Sequence, residues 1–324
     1  MPYHRRRGHG FGSASCHRGS WEGRVVKQFH YGGQAVMEGV MMRGAEHFAV
    51  AVRDPKGNIV IHSEPLAAYI YRGLVARTPF LRGLTMLWDA LVLGMRTLMY
   101  SADVALSDEP DVAFSGPLAW GTFAGSLAIG AGLFFLLPVF LVRAVDQYLA
   151  SSFLSNALEG LVRLALFVGY LAAIGFLPDV RRVFAYHGAE HKTVNAYEAG
   201  AALVPEEVEA YSTAHVRCGT AFMLLVLVLF IVLSSLLGRP GLWLRVASRL
   251  VLIPVVAGIA YEMMRFSANH RRMPVVGFLV VPGLWLQRLT TRQPDRPMLE
   301  VAIAALRRVL EAEAGEGEAA ASVS

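Results

Sequence analysis

Along residues 116–142 the chain reads GPLAWGTFAGSLAIGAGLFFLLPVFLV, with no charge in the run, which is long enough to cross a hydrocarbon layer with some tilt. Residues 156–177, 218–237 and 243–265 form three further apolar runs, so the pattern predicts four transmembrane helices. The second carries Glu159 and Arg163 four apart, a spacing that allows a pair near one end. The fourth carries Arg245 and Arg249 near its start, where they are expected to snorkel, and Glu262 near its end.

Two segments depart from this pattern ahead of the first span. Residues 79–106 place Arg82, Asp89, Arg96 and Asp103 seven apart on an otherwise apolar helix, and such a stripe predicts a helix in the membrane interface. Earlier, HFAVAVRD, PKGN and IVIHSE set two β-branched runs about a turn sequence, predicting a β-hairpin. The glycine-rich YGGQAVMEGVMMRG before it suits close backbone packing better than phosphate binding, since it lacks the Lys-Ser/Thr of a phosphate loop. After Pro297, Leu299, Ile303, Leu306 and Leu310 mark an amphipathic helix that gives way to a Glu/Gly/Ala end expected to be disordered.

The predicted fold is therefore mainly α, a polytopic helical membrane protein with an interfacial helix and a small N-terminal β-hairpin subdomain. Residues 1–28 are read as a disordered basic arm and 29–75 as the glycine-rich hairpin subdomain. Residues 76–298 form the membrane domain, with a cytoplasmic helical loop at 179–217, and 299–324 form the helix and tail.

Composition sharpens this picture: 55% of residues are hydrophobic and 17% charged, with a net charge of +5. Much of that charge lies beside apolar runs or in the N-terminal arm, which fits anionic lipid and no nucleic acid. Arginines flank one end of the spans: Arg181 and Arg182 follow the second, and Arg265, Arg271 and Arg272 the fourth. Both termini and the 179–217 loop are accordingly expected in the cytoplasm, with the protein in a bacterial plasma (inner) membrane. Only Cys16 and Cys218 occur, which argues against a disulfide framework and fits a reducing compartment.

Candidate chemistry sits in FAYHGAEHKTVNAYEAG, residues 184–200. Pro178 and Asp179 suit a helix start and Gly200 a stop. On that helix His187 and His191 are one turn apart, with Glu190 between them and Asn195 and Glu198 farther along the same face. HxxEH is the inverted zinc-protease spacing: two imidazoles bind a divalent metal such as zinc, and the glutamate serves as general base. A third ligand is expected from Glu262 or Glu198. Glu38, Arg43, His215, Arg217 and Cys218 are further candidates. The alternative is that both histidines only bond backbone or lipid headgroups where a helix leaves the membrane. Two functions follow, a metal-dependent hydrolase at the cytoplasmic membrane face, or a non-enzymatic transporter, channel or assembly factor using the same polar cluster.

Taken together and in order, YGGQAVMEGVMMRG, YHGAEHKTVNAYE, HVRCGTAF, IPVVAGIAYE and PGLWLQRLTTRQP resemble the YqhQ family of bacterial membrane proteins, over about residues 30–310. The family has no established activity; its label as predicted metal-dependent enzymes implies His187, Glu190 and His191 as candidate site residues here.

Overall fold

The computed structural model describes residues 31–67, 78–108, 117–149, 151–238, 241–270 and 274–321. The expected arm at 1–28 lies outside these residues.

The N-terminal region forms four antiparallel strands, not two: β1 (Gly32–Val36), β2 (Gly39–Arg43), β3 (His47–Arg53) and β4 (Ile59–Pro65), paired in chain order. The expected turn about PKGN joins β3 to β4, where Asp54 bonds both the backbone N–H and the side chain of Asn58. The additional hairpin, β1–β2, turns through Met37 and Glu38, with Glu38 at φ +50°. A two-residue turn without glycine is a weak sequence signal.

Strand alternation sends Val40, Met42, Ala49 and Ala51 to one face and Val36, Met41, Phe48, Val50 and Val52 to the other. On the second face lies the region expected to be a single interfacial helix. It is helical throughout, as α1 (Arg82–Trp88), a π-helical turn at Asp89–Leu93 and α2 (Gly94–Ala105). Leu93 packs in that core, with Tyr100, Val104 and Ala105 against it, so the C-terminal half covers the sheet. Arg96 reaches Glu64 at 3.2 Å, and Glu64 also bonds His62 at 2.9 Å. That bond and Arg96 hold Glu64 below the usual glutamate value of 4.5. A depressed carboxyl contributes stability above its unfolded value and loses it as pH falls through the folded one. Glu64→Gln is therefore expected to lower the melting temperature at pH 7 and to have less effect near pH 4.

Beyond α2, α3 (Pro117–Ala131), a π-helical turn (Gly132–Leu136) and α4 (Leu137–Val145) make one continuous path, followed by α5 (Ser152–Ile174). Next come α6 (Pro178–Glu198), the short α7 (Pro205–Val208), α8 (Gly219–Ser235), α9 (Leu242–Asn269), α10 (Pro274–Thr290) and α11 (Arg296–Ala321). Trp120–Tyr148, Ser152–Ile174 and Ala247–Ser267 are long and apolar enough to cross a membrane. The third expected span, 218–237, is a shorter apolar helix, Gly219–Ser235, of 17 residues, about 26 Å long at 1.5 Å per residue against a ~30 Å hydrocarbon core.

Charges inside the bundle turn inward. Arg163, the twelfth residue of the 23-residue α5 (163 − 151 = 12), donates to Glu159 at 2.9 Å and to the Phe134 carbonyl at 2.7 Å. Phe134 lies in the π-helical turn of the first span, where the altered ladder frees carbonyls to accept. Arg249, expected to snorkel, is instead buried: it faces the Asn156 Oδ1 at 3.3 Å and the Ser234 carbonyl at 3.4 Å. Protein acceptors inside the bundle replace the headgroups that snorkelling would have reached.

The chain end closes the fold. Residues of α11 from Met298 to Val309 fill the first sheet face together with Ala185, Tyr186, Ala189, Val194 and Ala196 of α6. Glu313 accepts from the backbone N–H groups of Ala45 and Glu46 and from the Tyr31 hydroxyl. At Gly44 a Cβ would collide with that carboxylate. Helix α11 continues to Ala321 through the Glu/Ala-rich end expected to be disordered; both residue types are strong helix formers.

Candidate metal centre

Helix α6 carries the histidines. Pro178 at its first turn and Asp179 beside it favour the start. A Schellman turn ends it: Gly200 at φ +75° donates to Tyr197, and Ala201 to Ala196. Between these ends the helix is buried on nearly every side from Ala185 to Ala196, so its polar side chains need partners inside the protein.

They find backbone carbonyls. His187 Nδ1 lies 2.8 Å from the Thr290 carbonyl and His191 Nδ1 lies 2.6 Å from that of Thr213. A carbonyl only accepts, so Nδ1 carries the proton in both rings and Nε2 presents the lone pair. Lys192 donates to the carbonyls of Glu209 and Tyr211, and Asn195 to those of Ser212 and Ala214. Burial draws the Lys192 ammonium below its usual range, against the pull of Glu209. His191, Lys192 and Asn195 thus fasten residues 209–214 along α6.

That fastening leads the chain to Cys218, whose side chain caps α8 by accepting from the Thr220 N–H. Cys218 Sγ stands 3.2 Å from His187 Nε2. One ligand atom each from His187, His191 and Cys218 lies within 4.8 Å of the others, and among the described residues this is the group that could hold a metal ion. The imidazoles of His187 and His191 are 4.4 Å apart between centroids, and His215 lies 5.7 Å from His191.

The donor set fits a transition ion. His191 Nε2 is buried without a hydrogen bond, and its neighbour is Glu190 Oε2 at 3.5 Å. With Nδ1 protonated, these are two acceptors face to face, a pair that calls for a proton or a cation. Carbonyl acceptors behind both histidines are the usual second layer of a metal site, and a nitrogen–sulfur set suits zinc.

The other candidates lie as follows. Glu198 pairs with Arg217 and lies 3.8 Å from His215 Nε2. Glu262 is held by Arg82 through both carboxylate oxygens, with a further bond from the Phe80 N–H. Each acid is thus engaged by an arginine, and the structure groups Cys218, not Glu262 or Glu198, with the two histidines. Glu38 binds Arg182 in a bidentate pair and accepts from the Tyr186 hydroxyl at 3.2 Å. Burial, reinforced by Glu38, pushes that phenol well above its usual range. Glu38 therefore anchors the β1–β2 turn to α6 one residue before His187. Arg43 ends β2, half-buried opposite Phe48.

Two glycines admit close approach. At Gly188, inside the motif, a Cβ would collide with the Arg292 carbonyl, so the glycine lets the 290–292 backbone cross α6. At Gly33 a Cβ would meet the Met41 carbonyl and lie 3.0 Å from Glu190 Cγ, which places the glycine-rich strand against the site glutamate.

Sequence comparison places these residues among known proteins. Residues 78–312 match the family described as a protein of unknown function, DUF1385. The chain is 35% identical over 297 residues to the uncharacterized protein YqhQ of Bacillus subtilis (strain 168), covering 88% of this chain and 93% of that protein. No solved structure matches. With the family region spanning most of the chain and a relative aligned over nearly its full length, this protein belongs to the YqhQ family.

Proposed function

We propose that the chain is a membrane metalloprotein that binds one divalent transition ion, zinc by ligand type, and uses it for hydrolysis at the cytoplasmic face of a bacterial plasma membrane. The observation that carries this reading is the approach of His187, His191 and Cys218 to within 4.8 Å. Arg181 and Arg182, just beyond the second span, support the cytoplasmic assignment.

Within the site, the Nδ1–H bonds to Thr290 and Thr213 fix ring orientation and leave both Nε2 atoms as donors to the ion. A zinc-class ion, when bound, supplies Lewis acidity toward a water or substrate oxygen. Glu190, 3% exposed and with Oε2 beside His191, is the carboxylate positioned to hold a proton during such a step.

The test uses untagged protein purified in detergent, with bound metals measured by mass spectrometry beside His187→Ala and His191→Ala. Near-stoichiometric transition metal in the wild type, lost in both variants at unchanged melting temperature, is the expected result. Wild-type protein that takes up none after loading overturns the reading.

A second reading, transport or assembly without catalysis, draws on the charges buried between the spans, since Glu159, Arg163 and Arg249 are all less than a tenth exposed. Metal that is bound but held away from water favours it.

A further inference from the structure

The segment PGLWLQRLTTRQP has no part in the ligand set, yet one face of α10 bears directly on it. Gly283, Gln287 and Thr290 are spaced i, i+4, i+7 and so share that face. A Cβ on Gly283 would lie 2.8 Å from the Cβ of Ala221, three residues past Cys218, so α10 docks closely on the start of α8. One turn on, Gln287 is 1% exposed and bonds both backbone groups of His215: its Oε1 accepts from the N–H at 2.9 Å and its Nε2 donates to the carbonyl at 2.8 Å. Another turn on, the Thr290 carbonyl takes the His187 Nδ1–H.

Residues 213–218 are therefore held from two sides. On one, α6 grips the Thr213 and Ala214 carbonyls. On the other, Gln287 grips His215, midway between the acceptor for His191 and the thiol of Cys218. A side-chain amide paired with a backbone amide in both directions fixes distance and rotation together. In a buried setting, neither His215 group would have water to fall back on if Gln287 were removed.

We infer that Gln287 is a positioning residue of the metal centre, setting the distance of Cys218 from the two histidines while touching no ligand atom itself. The inference rests on the proposed metal site, but its geometric core can be tested without metal. In α10 the same face also holds His187 through Thr290, so helix docking and ligand spacing are coupled.

The experiment compares wild type, Gln287→Met and Gln287→Glu in a Cys16→Ser background, so that Cys218 is the sole thiol. Met removes both bonds at similar volume; Glu keeps an acceptor for the His215 N–H and loses the donor. Three quantities are read: the iodoacetamide alkylation rate of Cys218 in metal-free protein, the affinity for Zn²⁺ by competition with a chromophoric chelator, and the melting temperature. Expected for Met is faster alkylation and zinc affinity lower by ~10–100-fold, as is typical of outer-layer changes, with Glu intermediate and melting little altered. Unchanged alkylation and unchanged affinity in both variants overturn the inference, as does a loss of affinity that follows melting temperature alone. Should Met fail to fold, Glu decides by the same readings. Wild-type protein that binds no zinc overturns the metal reading instead, and the alkylation rates still decide whether Gln287 positions the thiol.

Discussion

Cys218→Ser is expected to reduce metal affinity by at least ~100-fold, the upper end of what outer-layer changes produce, while Glu262→Gln leaves it nearly unchanged. Sulfur is the donor nearest a histidine lone pair, 3.2 Å from His187 Nε2, and a hydroxyl is a poor substitute for a thiolate on a zinc-class ion. Glu262, in contrast, has both oxygens on Arg82. Removing its charge should loosen α1 from α9 without reaching the site. Glu198→Gln belongs with Glu262→Gln, because its carboxylate is committed to Arg217. Metal per protein after gel filtration, measured beside melting temperature, checks the set. Metal retained in Cys218→Ser and lost in Glu262→Gln would restore the carboxylate as third ligand.

Glu159→Leu is expected to destabilise the bundle by ~3–5 kcal/mol, the usual effect of removing one partner from a buried ion pair. Arg163 sits at the middle of α5 and is 2% exposed. Losing the carboxylate at 2.9 Å takes the nearest countercharge from a guanidinium deep in the apolar layer. Adding Arg163→Met should recover part of the loss, since replacing both partners of such a pair by apolar groups is often neutral or favourable, while Arg249, 3.8 Å from the Glu159 carboxylate, still lacks its countercharge. Detergent unfolding with increasing SDS would measure both. A single variant as stable as wild type would mean that the pair is already reached by water.

The sequence signals that worked share a physical cause. Pro178, Gly200 and the turn after Asp54 mark element ends because they act on backbone torsion alone. Apolar runs long enough to span hydrocarbon are equally direct, and they expose the three long helices. Tertiary placement could not be read: Cys218 is a candidate in the sequence, but its approach to the two histidines is not visible there. Cys218 is 27 positions beyond His191 (218 − 191 = 27), and the fastening that returns it depends on carbonyls of residues 209–214, which every residue type possesses. Thr290 likewise contributes a carbonyl, not its side chain. Gln287 was missed; its place as a polar residue after the apolar stretch PGLWL is the one clue the sequence offers to it. The π-helical turns carry no local signature, so neither the acceptor for Arg163 nor the π-helical turn between α1 and α2 could be foreseen.

The sheet is finished by Pro65, but the helix that covers much of its inner face begins only at Arg296. During synthesis that apolar face therefore stays only partly covered until the chain reaches α11, after the long apolar helices are made. Contacts between such distant segments close late, because the intervening chain must be ordered before they can form. Helix α6 shares that core, so the packing around the histidine helix is completed only with α11. Such an order of assembly would leave the helix of the proposed metal site without that packing until α11 is made, and a chain cut short before α11 would never gain it.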